Sequence, residues 1–136
     1  MPIMSQPELE WNLWTMKQLM DLANSDPVAR RWAKNCAFDL MFGVGDEHHI
    51  IKVRDGQIAA VSDRPAKLTS WDFAIAGPAT SWQAHWAPVP APTYHDIIAM
   101  RTAGHITIEG ELTGFFANIL YVKRMLELPR TKGWMQ

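Results

Sequence analysis

The spacing of apolar residues changes period along the chain, and each change marks an element. Leu9, Leu13, Met16, Met20 and Ala23 recur every third or fourth residue, which predicts an amphipathic helix. Ser5-Gln6-Pro7-Glu8 reads as its start, with Ser5 as cap, Pro7 in the first turn and Glu8 completing a capping box. Trp11 and Trp14 lie off the stripe, so they either widen the buried face or stand exposed against a partner. Asn24-Ser25-Asp26-Pro27 stops this helix and starts another, with Asp26 as cap and Pro27 at the first helical position, running to about Asn35. From Ala37 the period is two. Phe38, Leu40 and Phe42 alternate with Asp39, Met41 and Gly43, predicting a strand. Gly43 to Asp46 allows a turn, and His48 to Val53 reads as the next strand. Asp55-Gly56 then signals a tight hairpin, because both central residues of a type I′ turn need positive φ. Gln57 to Ser62 is therefore an antiparallel third strand, and Asp63 to Lys67 a loop.

The second half repeats the alternation of periods. Trp71, Phe73 and Ile75 share one face of a strand running to Ala76, which Gly77-Pro78 ends. A short helix carries Trp82 and Trp86, and a proline loop spans Ala87 to Pro92. A helix is expected from Tyr94 to about Ala103, with Thr93 as N-cap, Asp96 at the third helical position and a left-handed Gly104 closing it. A strand from His105 to Glu109 follows, with Ile106 and Ile108 facing inward. In the last helix, Leu112, Phe115, Phe116, Ile119, Leu120, Val122 and Leu126 cover well over half the circumference. A surface helix needs only about a 100° stripe. This helix is therefore buried on two sides, or one side faces a cavity. Antiparallel hairpins with helices collected on one face predict an α+β two-layer domain.

At 136 residues the chain is expected to be a single domain, 1–136, with a helical segment over 1–35 and an α+β unit over 37–128. A net charge of −1 without a basic run argues against nucleic acid as a partner. One cysteine, Cys36, cannot form an internal disulfide and points to a reducing compartment. No basic segment followed by an apolar one opens the chain, and no apolar run approaches the roughly 18 residues of a spanning helix. The expectation is a cytoplasmic protein with no transmembrane segment, for which only transient membrane contact is open. Seven Trp and eight Met are unusual. They fill the core, or they form the adaptable walls of an apolar pocket.

Candidate chemistry is sparse. Glu47-His48-His49 looks metal-like, but adjacent side chains in a strand point to opposite faces, so the two imidazoles cannot chelate one ion. No metal and no cofactor is expected. No glycine-rich phosphate loop or nucleophile elbow is present. No catalytic residue is expected; the enzyme reading below would have to draw on His85 and His95, which flank the proline loop, with Tyr94, Asp96 and Arg101 nearby.

The order of elements, together with Phe73-Ala74-Ile75-Ala76-Gly77-Pro78 leading into a Trp-containing helix, resembles the sterol carrier protein 2 family. His105-Ile106-Thr107-Ile108-Glu109-Gly110 is similar to that family's strand-then-glycine step, and Ala117-Asn118-Ile119-Leu120 to its closing helix. The resemblance covers about Phe38 to Leu128. It implies a mostly antiparallel five-stranded sheet covered by helices, with an apolar tunnel for lipids, sterols or acyl chains, and no obligatory metal or chemistry. The partner expected is thus a hydrophobic small molecule, bound or carried without being transformed. The residues expected to line its cavity are Phe73, Ile75, Trp82, Trp86, Ile98, Phe115, Phe116, Ile119 and Leu120. Phe115 and Ile119 lie one turn apart, as do Phe116 and Leu120 about 100° round, so one stripe can seal the sheet while the other meets a ligand. Two other readings compete. One is an enzyme using the same pocket for hydration, isomerisation or cyclisation of a hydrophobic substrate. The other is a protein-interaction module whose Trp11, Trp14 and Lys17-Gln18 dock on a partner or a second copy, giving a homodimer through the N-terminal helix.

Overall fold

The computed structural model describes residues 11–63 and 70–135. The capping sequence expected at Ser5 to Glu8 lies outside them. Helix α1 spans Leu13–Ser25 and α2 Pro27–Trp32. Strands β1 Phe38–Val44, β2 Glu47–Arg54 and β3 Gln57–Ser62 follow, then β4 Phe73–Gly77. Helices α3 Ala79–His85 and α4 Ile97–Ala103 precede β5 Thr107–Gly110. Helices α5 Leu112–Ala117 and α6 Ile119–Thr131 close the order.

The five strands form one sheet in the order β3-β2-β1-β4-β5. The β1–β2, β2–β3 and β4–β5 pairs are antiparallel, whereas β1 and β4 run parallel. The sheet is therefore mixed. The β3-to-β4 connection returns the chain past two strands, which sets β4 beside β1 in the same direction. Phe38, Leu40 and Phe42 of β1, Ile51 and Val53 of β2, Phe73 and Ile75 of β4 and Ile108 of β5 build the core with the helices. Ile106 and Ile108 are buried between exposed Thr107 and Glu109, as period two requires. Asp55 and Gly56 both adopt positive φ, 52° and 76°, so the hairpin turn forms where the sequence places it.

Several boundaries differ from the sequence reading: α2 ends at Trp32 rather than about Asn35, and β5 runs Thr107–Gly110 rather than from His105. Helix α1 starts at Leu13, because Asn12 is the cap: its side chain accepts from the Thr15 N–H. Its buried face is Thr15, Met16, Leu19 and Ala23. Strand β4 begins at Phe73, since the backbone of Asp72 already bonds Asp39 and Glu111. Helix α4 begins at Ile97. Asp96 is extended at its start, and Thr93 takes φ 74° with its hydroxyl 3.0 Å from His105 Nε2, so Thr93 is no cap. The final helix breaks at Asn118, whose side-chain amide donates to the Gly114 carbonyl at 2.8 Å and competes with the helical ladder.

One buried ion pair ties the helical layer together. Asp26 caps α2 through the Ala29 N–H at 2.8 Å and accepts two hydrogen bonds from Arg124 of α6, at 2.8 and 3.0 Å. The Arg124 hydrogen bond is the main cause that holds the Asp26 carboxyl below its ordinary pKa, against the opposing effect of burial.

Candidate ligand-binding site

The nine expected lining residues divide between two aromatic groups and the surface. Trp82 and Trp86, on and just after α3, stack at 5.6 Å, and Trp11 stacks on Trp86 at 4.8 Å. Phe42 closes this group, 4.9 Å from Trp82 and 5.7 Å from Trp11. Each of the three indole N–H groups has an acceptor: Met16 Sδ for Trp11, the Gly43 carbonyl for Trp82 and the Leu126 carbonyl for Trp86. This group is packed core with its polar atoms satisfied. Ile75 is also fully buried, paired with Phe42 on one side and Ile108 on the other.

The second group lies under α5 and α6. Phe73 meets Phe38 at 5.1 Å and Phe115 at 5.5 Å, and Tyr121 stands edge-on to Phe38 at 6.2 Å. Phe115 is buried, while its neighbour Phe116, in ring contact at 5.1 Å, is 50% exposed. Leu120 is 52% exposed, and Ile98 and Ile119 are half-buried against the core. The Tyr121 hydroxyl is buried and has no hydrogen-bond partner among the described residues. Burial raises its pKa, so it stays a neutral hydroxyl. Sequence reasoning passed over Tyr121, because a tyrosine inside an apolar helical run looks like any other core residue.

His85 and His95 sit differently from one another. His85 is buried, with Nδ1 2.7 Å from the Tyr94 carbonyl, which only accepts, so Nδ1 carries the proton. Burial is the main cause that lowers its pKa to about 4, and the imidazole is neutral at physiological pH. Arg130 donates to the backbone carbonyls of both His85 and His95, at 2.9 and 3.1 Å, clamping the two ends of the proline loop. His95 itself is exposed. Tyr94 stacks on His105 at 4.0 Å and Asp96 pairs with Lys123 at 2.8 Å. Among the described residues, no hydrogen bond joins the side chains of any two of Tyr94, His85, His95, Asp96 and Arg101. Trp14 is exposed and Trp11 buried, so the two do not share a contact face.

Surface clefts among the described residues stand outside this region. A cleft of about 410 Å³ lies at the ends of β1 and β4, lined by Gly45, Gly77, Pro78, His105 and Ile106 among others. Two more, of about 300 and 350 Å³, flank α1 beside Leu22 and Trp134 and beside Met20 and Val61. None of their lining residues is one of the nine. A largely apolar ligand needs aromatic and aliphatic walls, and the largest of these clefts has Ile106 as its one large aliphatic side chain, beside His105, Asp46 and three glycines. The group around Phe73, Phe115 and Tyr121 is the better candidate on chemistry. For metal ligation, one set of side chains converges: donor atoms of Glu47, His49 and Asp63 lie within 4.8 Å of one another. His49 is fully buried, and desolvation lowers its pKa.

No protein-family model matches the sequence, and no curated protein is similar to it in sequence. Solved structures with the same architecture do exist. A crystal structure of sterol carrier protein 2 superposes with a TM-score of 0.69 at 12% identity, over 88% of this chain and 95% of that one. The solution structure of a conserved hypothetical protein from Thermus thermophilus, described as possibly a sterol carrier protein, gives a TM-score of 0.71 at 12% identity, over 93% and 92%. Sterol carrier protein domain 2 of Helicoverpa armigera gives 0.58 at 14% identity, over 84% and 86%. The five-stranded mixed sheet, its single helical layer and the closing helix pair thus give this chain the sterol carrier protein 2 fold.

Proposed function

We propose that this protein binds and carries a hydrophobic small molecule bearing one hydrogen-bonding group, such as a lipid, a sterol or an acyl chain, between the sheet and the α5–α6 pair. The observation that carries this reading is the Tyr121 hydroxyl. A buried hydroxyl without a partner costs about 1–3 kcal/mol, and this one sits beside aromatic rings that would form the walls of an apolar chamber. A ligand's polar group would satisfy it while the ligand's body packed against Phe38, Phe73 and Phe115. The fold supports the same reading, since it is shared with proteins described as sterol carriers.

The aromatic group is closed in this conformation, so entry requires movement. Helix α5 has six residues and is joined to α6 at Asn118, where the ladder is interrupted. Short elements with few buried contacts open at low free energy. Phe115 is the one buried residue of α5, and Phe116 and Leu120 already present apolar surface beside it. Lifting α5 about Asn118 would expose the chamber and hand those two side chains to the ligand.

Competition titrations with fluorescent fatty-acid and sterol probes test this reading. Wild type should bind at least one class at roughly micromolar concentration. Tyr121→Phe, which keeps the ring and removes the hydroxyl, should weaken binding roughly 3- to 10-fold, the value of one hydrogen bond. Absence of binding by both probe classes, with a folded protein, would overturn it.

A further inference from the structure

The hairpin β2–β3 contains a register shift between Lys52 and Val53. Val53 pairs with Ile58, but Lys52 pairs with Ala60, so Ala59 is the extra residue of a bulge. Beyond it Ile51 faces Val61 and Ile50 faces Ser62. The next position outward sets Asp63 against His49; without the bulge Ser62 would stand there. Glu47 and His49 are two residues apart on one strand and share a face. The bulge therefore adds a carboxylate from the neighbouring strand to a Glu-x-His pair.

The geometry around His49 is unusual for a core histidine. Its side chain is fully buried. Nδ1 lies 3.3 Å from the Ser62 carbonyl, an acceptor, so the proton belongs on Nδ1 and Nε2 carries a lone pair. Nε2 has no hydrogen-bond partner among the described residues, and it lies 3.7 Å from Glu47 Oε1, itself an acceptor. Asp63 Oδ1 lies 3.8 Å from Nδ1 of the same ring, on the Ser62 side. Nε2 and Glu47 Oε1, both acceptors in this tautomer, repel at that distance unless a cation stands between them.

We propose that Glu47, His49 and Asp63 form a site for one first-row divalent cation, with Zn²⁺ the best fit to one imidazole and two carboxylates. Ligand bonds of about 2.1 Å in tetrahedral geometry place donor atoms about 3.4 Å apart. The Nε2-to-Oε1 separation of 3.7 Å is near that value, and one donor atom from each of the three residues lies within 4.8 Å of the others. The Ser62 carbonyl fixes the imidazole tautomer, as second-layer acceptors do in zinc sites. Two carboxylates neutralise the dication, and water completes the coordination. His48 projects from the opposite face of β2 and takes no part. Bound, the ion would tie the end of the edge strand β3 to β2.

The test is Zn²⁺ titration of the chelator-treated full-length protein by calorimetry, followed by thermal melts with and without Zn²⁺. Wild type should bind one equivalent and melt at a higher temperature with the ion present. Glu47→Gln and Asp63→Asn, both conservative changes of exposed side chains, should each weaken binding roughly tenfold or more and abolish the thermal shift. His48→Ala should leave both unchanged. Wild type that fails to bind Zn²⁺ overturns the proposal. So does binding that survives either variant, or that is lost in His48→Ala, because the ion would then sit elsewhere.

Discussion

Phe115 and Phe116 are adjacent, yet one is buried and the other half exposed, and truncating each to alanine measures the difference. Phe115 is fully buried, with its ring against Phe73 and Phe116. Phe→Ala at such a site costs about 3–5 kcal/mol, part transfer and part cavity. Phe116 keeps only half of its surface buried. Full burial of a phenylalanine is worth about 1.5–3 kcal/mol, so its truncation should cost about 1 kcal/mol. For a chain of this length a loss of 1 kcal/mol lowers the melting temperature by about 4 °C. Phe115→Ala should therefore melt roughly 12–20 °C lower, and Phe116→Ala roughly 4 °C lower. Urea unfolding should give the same ranking, with an unchanged m-value. Probe binding should report the reverse emphasis. Phe116→Ala should weaken affinity roughly 3- to 10-fold with little loss of stability, because its exposed ring is surface that a ligand can cover. Equal stability losses in the two variants would refute the burial assignment. A Phe116→Ala protein with wild-type affinity for every probe would remove the exposed side of α5 from the binding region.

Individual contacts elsewhere in the fold carry their own tests. Asp26→Asn removes the charge facing Arg124, which is itself largely buried, and should cost about 3–5 kcal/mol in urea unfolding at neutral pH; because the folded pKa is depressed, this contribution is present above the ordinary value of 3.8 and is lost as the pH falls below it, so wild type and variant should converge in strong acid. His85 binds its second proton less readily when folded, with a pKa lowered from 6.5 to about 4, so wild-type stability should fall by about 3 kcal/mol as the pH drops from 6.5 to 4, and a His85→Gln protein with the same slope over that window would contradict the assignment. Gly56→Ala adds a Cβ 2.7 Å from the Ala33 carbonyl oxygen at a residue with φ 76°, and should destabilise by at least about 1–3 kcal/mol in thermal melts, whereas the turn account fails if the variant is as stable as wild type.

What the sequence revealed and what it hid follow the range of the forces involved. The three-strand meander was legible because its signals are local: alternation at Phe38, Leu40 and Phe42, and Asp55-Gly56 forcing a two-residue turn. The parallel pairing of β1 with β4 was not, because it depends on a crossover that no local pattern encodes. Asn12 caps α1 at Leu13, and a short polar cap is easily overlooked inside an apolar repeat. The break at Asn118 had a signal, an Asn four residues after a Gly, but the apolar run across it read as one helix. Among the expected lining residues, hydrophobicity alone could not separate Phe115 from Phe116 or Trp82 from Leu120; only the packing of the sheet decides which face is sealed. The opposition of the two adjacent imidazoles at 48 and 49 was legible from strand geometry. Asp63 beside His49 was not, because one bulged residue, Ala59, sets that register.

The most direct test of the carrier reading is native mass spectrometry of the full chain, purified without detergent and then incubated with a mixture of fatty acids, phospholipids and sterols. The account predicts a one-to-one complex with at least one of these classes, and a reduced bound fraction in Tyr121→Phe at the same ligand concentration. A folded protein that takes up none of them, or that takes up lipid equally well after Tyr121→Phe and after Phe116→Ala, would contradict it.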